Sequence, residues 1–399
     1  NVNLLFSLGL MMGGDLLAQG MATLPLFIIS VGLIGAGVWL LGSTIPGFLA
    51  VLVLLNLGPV KFTLGYAFID NGLALFCWGA TLALALWAGN EHRSKGWLVI
   101  AGLLAGGAAG SKYFGGVLAL LLGLYLLAIR RDWRASLTYA LAVIVFGSWW
   151  YIRSAVVAGG DPFHPAGGNI FGHFLWNADD LLSQKQEQTT YGAGKNLLNL
   201  WPALVKAGVS LWVPAFLSFI FFWKGGNSLR LLQITFLSYF LFWFFVAQVD
   251  RYLAPIYAVG SFLSIYFLYR AGMGQFISAL MSRKAWLRNP CIPGALCLVF
   301  LLPVCVVSYL AAAGRVAHWD ESLEGQPGYA LFQEANRLIP TYGSQLIQVG
   351  FENGVYFFNG TAIGDWFGPG RYSSMINGLE LISPLAMTEL MKGFNSRML

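Results

Sequence analysis

Residues 68–88 read Phe-Ile-Asp-Asn-Gly-Leu-Ala-Leu-Phe-Cys-Trp-Gly-Ala-Thr-Leu-Ala-Leu-Ala-Leu-Trp-Ala, with one charge, Asp70, near the front and none from Asn71 to Ala88. A helix that crosses hydrocarbon needs roughly 20 mostly apolar residues, so this run is long enough to span a membrane. Runs of the same kind recur at 24–41, 45–60, 97–111, 114–129, 136–158, 204–223, 229–247, 252–270 and 291–313, about ten candidate spans in all. Residues 1–20 are also apolar, but Gly13-Gly14-Asp15 breaks them, and they read as an interfacial helix plus a turn. The fold class expected is an all-α polytopic membrane bundle.

Composition agrees. The chain has 399 residues, 57% hydrophobic, 15% aromatic and 10% charged, with a mean hydropathy of +0.68. Soluble domains carry about a quarter charged residues, and much of their outside must be polar. A soluble enzyme, a disordered chain and a coiled coil are excluded. The net charge of +6 is a topology signal in such a chain and not a sign of nucleic-acid binding. Cys77, Cys291, Cys297 and Cys305 lie in apolar runs without zinc-ligand spacing, and read as apolar side chains. The chain opens on Asn1 with no Met and no charged leader, so a further N-terminal part is expected ahead of it.

Charge orients the spans. With residues 89–96 on the cytoplasmic side, Arg93, Lys95, Arg130, Arg131, Arg134, Lys224, Arg230, Arg270, Arg283, Lys284 and Arg288 share that side. The opposite side holds the sparser set Lys61, Lys112, Arg153, Lys185, Lys195, Lys206 and Arg251. The rule that cytoplasmic loops are enriched in Lys and Arg then puts the polar loop 159–203 and the tail outside, on a bacterial-type inner membrane. Two domains are expected: a transmembrane domain over 1–313, and a small α/β domain over 314–399 on the periplasmic side. In the tail, Tyr329–Leu338 has helical spacing ending at Pro340. Gln345–Gly350 reads as a buried strand, Val355–Phe358 as a second short apolar element, and Ser383-Pro384 as the start of a helix through Lys392.

The informative polar residues sit at the outer helix ends, where ionisable groups more often face a cavity than lipid. Asp70 reads either as a helix N-cap or as a carboxylate facing an outer cavity. Lys112 and Tyr113 follow the run Ala105-Gly-Gly-Ala-Ala-Gly110, which suits close helix packing. Lys112 either snorkels to headgroups or offers a point charge to a phosphate. Arg153 ends Trp149-Trp-Tyr-Ile-Arg153, and the turn Gly159-Gly-Asp-Pro-Phe-His-Pro165 carries Asp161 and His164, two candidate metal ligands. Asp250-Arg251-Tyr252 joins two spans, and Arg251 has the planar fork that grips phosphate. Lys112, Arg153 and Arg251 offer three cations from three segments to one phosphate.

Several of these stretches together resemble the GT-C class of multi-spanning glycosyltransferases, which use polyprenyl-phosphate-linked sugars. The class includes protein O-mannosyltransferases and the aminoarabinose transferases of lipid A. Gly13–Gln19 looks like the end of the first outer loop. Tyr66–Phe76 is similar to a Tyr-x-Asp-x-x-Leu-x-x-Phe stretch, with Tyr66 and Asp70 farther apart. Gly102–Tyr113 resembles a glycine-rich helix ending in Lys-Tyr. Trp149–Arg153 with Gly160–Pro165 resembles the aromatic-Tyr-x-Arg and Gly-Asn-Pro-x-x-Pro pair, Asp250–Pro255 the Arg-Tyr-x-x-Pro start of a late span, and the tail the small outer domain of bacterial members.

The resemblance implies inverting transfer of a sugar from a polyprenyl phosphate to an acceptor at the outer face. It assigns the donor phosphate to Lys112, Arg153 and Arg251, and acceptor or lid roles to Tyr113, Asp161, His164, Asp250 and Tyr252. Asp70 is the remaining candidate for the catalytic carboxylate. A divalent cation, Mg2+ or Mn2+, is the cofactor class it allows. The acidic pair of the family's first outer loop has no counterpart after Asn1, so the base is expected ahead of Asn1 or the chain is inactive. The rival reading is a non-catalytic glycosyltransferase-like subunit that binds partner membrane subunits. A secondary transporter predicts inverted repeats, and the sequence has none.

Overall fold

The computed structural model describes residues 2–64, 66, 68–89, 94–172, 181–182, 185–186, 192–283, 306, 310, 313–314, 328–348, 357–363, 376–377 and 380–398. In chain order the apolar helices are α1 (Val2–Gly14), α2 (Leu16–Leu41), α3 (Thr44–Leu55), α4 (Gly58–Thr63), α5 (Asp70–Gly89), α6 (Lys95–Ala109), α7 (Tyr113–Ile129), α8 (Trp133–Val157), α9 (Leu200–Lys206), α10 (Ser210–Lys224), α11 (Asn227–Val246) and α12 (Asp250–Ala279). Among the described residues α2, α5, α8, α11 and α12 are long and apolar enough to cross a membrane, and α1, α3, α6, α7 and α10 are shorter apolar helices. The expected all-α polytopic bundle is the fold observed.

Several boundaries move. The span expected from residue 24 begins at Leu16. The break is at Gly13 and Gly14, and Gly14 has φ +65 in the left-handed region, open mainly to glycine. The chain folds back there, so Val2 and Phe6 pack with Ala22, Ile69 and Phe76. The candidate 45–60 stops at Leu55, and α4 begins afresh at Gly58-Pro59. The candidate 204–223 breaks at Gly208 (φ +66), whose carbonyl accepts the Gly58 N–H at 2.9 Å. The candidate 252–270 opens with a 3-10 turn at Asp250–Ile256 and runs on to Ala279. The candidate 291–313 lies outside the described residues except for Val306, Leu310 and Ala313, as do Cys291, Cys297 and Cys305. Cys77 is buried and carries no disulfide.

Lipid tails are as apolar as leucine, so helices in a bilayer associate through close packing and polar contacts. The glycine run supplies this. A Cβ on Gly102 would meet Ala142 and the Tyr139 carbonyl, and one on Gly106 would meet the Val143 carbonyl and Gly147. The seam lays α6 along α8, and the Tyr151 hydroxyl donates to the Ala109 carbonyl at its end (3.0 Å). The buried centre is aromatic: Phe216 on α10 meets Phe236 and Phe240 on α11 edge to face, at 5.0 and 4.8 Å.

These contacts define two ends. At one, the α6–α7 turn meets the start of α5, the end of α8 and the α11–α12 turn. At the other, Ser228 Oγ donates to the Ala85 carbonyl (2.7 Å), and the Tyr269 hydroxyl donates to the Leu41 carbonyl (3.0 Å).

The chain divides into two compact units, Asn1–Arg153 with Gln188–Ala313, and Ser154–Glu187 with Gly314–Leu399. The second unit contains α13 (Tyr329–Tyr342), β1 (Gln345–Ile347), β2 (Thr361–Ile363), β3 (Ile376–Asn377), β4 (Glu380–Leu381) and α14 (Pro384–Gly393). β1 and β2 pair in parallel, with Gln345 opposite Thr361, and β3 pairs antiparallel with β4. α13 continues two residues past Pro340 instead of ending there, and Gly343, with φ +90, closes its last turn by donating to the Ile339 carbonyl. Only the bond Pro340 would donate is lost, so the cost falls on a final turn that already lacks partners. The strand that pairs with β1 is Thr361–Ile363, just after the apolar element expected at 355–358; within that element Phe358 packs on Phe332. Ser383 caps α14, its Oγ accepting from the Ala386 N–H.

Candidate functional site

Asp70 is the first residue of α5 and is 1% exposed. A carboxylate at a helix N-terminus is favoured by the dipole, but burial of an unpaired charge is costly. Lys112 removes that cost: its Nζ donates to Asp70 Oδ1 at 2.8 Å. Lys112 is the residue just before α7, where the α6 glycine run ends and the chain turns. Asp70 is thus neither exposed to an outer cavity nor alone: it is the first helical residue, and its Oδ1 binds a cation from another segment. The Lys112 side chain keeps 21% of its surface open.

The lysine also sits over the Tyr252 ring, 4.9 Å from its centroid, and Phe114 stacks on the same ring at 4.0 Å. A cation over an aromatic face is held by the ring quadrupole. Tyr252 is fixed in turn by the Tyr239 hydroxyl, which donates to its carbonyl (2.9 Å). The Trp243 indole N–H donates to the Val249 carbonyl (2.8 Å). Gln248 grips the returning loop, its Oε1 accepting from the Ala193 N–H (2.7 Å) and its Nε2 donating to the Gly194 carbonyl (2.8 Å). The turn that carries Asp250, Arg251 and Tyr252 is thus pinned from below by α11 and from the side by 192–194. Asp250 Oδ1 accepts the Arg251 N–H at 2.7 Å. The Arg251 guanidinium lies 6.0 Å from the Phe68 ring centroid, on the loop that leads to Asp70.

The structure therefore brings Asp70, Lys112 and Tyr252 into contact and puts Asp250 and Arg251 beside them in sequence. Tyr113 opens α7 next to Lys112 and is 39% exposed. Arg153 is at the same end, since Tyr151 bonds Ala109, but it is exposed and its guanidinium lies over Trp150 at 5.4 Å. The structure does not join it to Lys112 or Arg251.

Asp161 and His164 belong to the second unit. Asp161 is fully buried; its Oδ1 accepts from the Phe163 N–H (2.7 Å) and its Oδ2 faces His164 Nδ1 at 4.0 Å. A side chain on Gly167 would collide with this carboxylate, so Asp161 shapes the turn from within. Among the described residues no three His, Cys, Asp or Glu side chains come together. The described side chains therefore offer no three-ligand site for a divalent cation.

Phe114, Tyr239, Trp243 and Gln248 were not singled out from sequence. Gln248 carried a signal, as a polar residue at a helix end two positions from Asp250.

With this geometry in view, comparison with known proteins gives one solved neighbour, described as "Crystal Structure of ArnT from Cupriavidus metallidurans bound to Undecaprenyl phosphate". It matches 91% of this chain and 75% of its own with a TM-score of 0.54 and 17% sequence identity. That likeness shows a GT-C-like fold. A family model described as SF2091/S2213 matches residues 318–399. "Uncharacterized protein SF2091.1/S2213" of Shigella flexneri is 40% identical over 82 residues, which is 20% of this chain and 69% of that protein. "Uncharacterized protein SF2092/S2214", also of Shigella flexneri, is 44% identical over 132 residues, 33% of this chain and 71% of that protein. By that identity and coverage, the chain belongs to the family of SF2092/S2214.

Proposed function

We propose that this chain is an integral membrane glycosyltransferase that takes a sugar from a polyprenyl-phosphate donor at the Asp70 end of its bundle. The observation that carries the reading is the fold likeness to an ArnT with undecaprenyl phosphate bound, over 91% of this chain. Lys112 and Arg251, cations at the same end of the bundle, support it.

The reaction breaks the bond between the sugar's anomeric carbon and the phosphate oxygen, and forms one from that carbon to an acceptor oxygen. The leaving phosphate gains negative charge, and fixed cations stabilise it most when they need no reorganisation. Lys112, positioned by Asp70 and Tyr252, and Arg251, on its pinned turn, take that role. Arg153, exposed on Trp150, serves the headgroup as it approaches. The acceptor's proton must pass to a base. Asp70 works through Lys112, and Asp250 is the half-buried carboxylate beside Arg251. The long loop and the tail face the periplasmic side of an inner membrane in this reading. Tyr113, Asp161 and His164 keep acceptor or lid roles.

The test is undecaprenyl phosphate binding to the full chain in nanodiscs, followed by native mass spectrometry. Loss of a charged contact of about 1.5–3 kcal/mol weakens binding by Arg251→Ala roughly tenfold or more. Wild-type affinity in that variant overturns the phosphate role. One observation favours the second reading, a non-catalytic glycosyltransferase-like subunit that binds partner membrane subunits: the best-placed carboxylate, Asp70, is 1% exposed and held by Lys112. Co-purification in a stable stoichiometric complex, without bound polyprenyl lipid, decides for that subunit.

A further inference from the structure

The end of α4 and the loop that follows it to α5 carry three aromatic rings in mutual contact. Phe62, Tyr66 and Phe68 form a triangle with centroid separations of 6.3, 5.7 and 6.0 Å. Phe62 is 60% and Tyr66 46% exposed. The loop is held at both ends: the Thr63 hydroxyl donates to Asn71 Oδ1 (3.1 Å), and Asn71 Nδ2 donates to the Ala22 carbonyl (3.2 Å). Arg251 lies over Phe68 at 6.0 Å, and Asp70 with its bound Lys112 follows two residues on.

Scattered exposed apolar side chains need no explanation, whereas a contiguous patch rimmed by polar groups marks a binding surface. An interfacial aromatic belt is built from Trp and Tyr, whose polar tips hydrogen-bond where the ring leaves the lipid. Two of these three rings are Phe, with no such tip. The patch is joined to a cation, so a purely apolar chain does not match it, and a bare phosphate has no use for the rings. A sugar phosphate matches both parts. A pyranose presents C–H bonds with partial positive charge on one ring face, complementary to the negative face of an aromatic ring, and its phosphate suits a guanidinium.

We propose that Phe62, Tyr66 and Phe68 form a stacking shelf for the sugar ring of a glycosyl phosphate whose phosphate is held by Arg251. This rests on the lipid-phosphate reading above and adds the residues that recognise the sugar.

The test compares the full chain in phosphatidylcholine nanodiscs with two kinds of probe. One is bare undecaprenyl phosphate; the other is undecaprenyl phosphate carrying a single glucose, mannose or aminoarabinose. Wild type is expected to prefer at least one glycosylated lipid over the bare lipid. Phe62→Ala and Phe68→Ala reduce that ratio by about tenfold, the scale of one good ring contact, and Phe62→Trp restores it. Thermal melting controls for folding, and Phe62, which is largely exposed, gives up little packing when truncated. Failure of wild type to bind the bare lipid overturns the lipid-phosphate reading, and the shelf with it. Bare-lipid binding with no preference for any glycosylated probe, or with a ratio that both alanine variants leave unmoved, overturns the shelf alone.

Discussion

The two ends of the bundle use the same residue types in opposite ways. At the Asp70 end a carboxylate and an ammonium are taken out of water together, and an aromatic ring covers the cation. At the Arg230 end the arginines have aromatic faces and carbonyls for company. Arg230 donates to the Phe222 (3.2 Å) and Trp223 (2.9 Å) carbonyls at the end of α10 and lies 5.9 Å from both rings. Arg130 lies over Trp87, Arg134 over Trp133 and Arg270 over Phe221, at 5.5–5.8 Å. Among the described residues none of these four has a carboxylate within ion-pair distance. Arg130 at the end of α7 and Arg230 on the last carbonyls of α10 are cations at helix C-termini, which complement the dipole without an acid. One end fixes charges against each other, and at the other the four described arginines rest on rings and carbonyls.

Three variants probe this contrast. Asp70→Ala leaves the mostly buried Lys112 ammonium without its partner, and loss of one member of a buried pair costs about 3 kcal/mol. Unfolding in mixed micelles should register it, and adding Lys112→Met should recover most of the loss. A stable Asp70→Ala protein breaks the contrast outright. Arg130→Gln removes one cation–aromatic contact and should cost about 0.5–1 kcal/mol in the same assay; a loss as large as that of Asp70→Ala would show that this end too hides a committed charge. Ser228→Ala removes the bond to the Ala85 carbonyl and should cost about 0.6 kcal/mol, the usual size between membrane helices. A larger value would mean that the Arg230 end depends on this tie for its shape.

The sequence was most legible where one local property decides the outcome. An uncharged run such as 71–88 must be solvated by lipid or protein, and it is one helix. The run Ala105–Gly110 was readable as a packing stretch because small side chains in an apolar helix let another helix come close, and Gly106 is one of the residues that does so. Asp70 and Lys112 were each visible as polar residues at helix ends. Their pairing was not, because it joins segments 42 positions apart and depends on how α5 meets the α6–α7 turn. The same limit hid Phe114, whose partner Tyr252 comes from a distant segment of the chain. Arg153 looked equivalent to Lys112 and Arg251 as a charge at the outer end, yet its rotamer lies on its own helix's Trp150, a choice that charge counting does not contain. Pro340 signalled a helix stop, but a proline in the last turn removes a bond that matters little.

The Asp70–Lys112 pair also has an order in time. Asp70 is made 42 residues before Lys112, and at about 5–20 residues per second the ribosome needs roughly two to eight seconds to supply the partner. Throughout that interval α5 is a membrane-length segment with a lone carboxylate at its leading edge. Its place on the first residue of the helix lets the acid wait in the headgroup layer while the apolar remainder inserts. Asp70 gains its partner only once α6 and the start of α7 have been made, so the pair closes late in the order of synthesis.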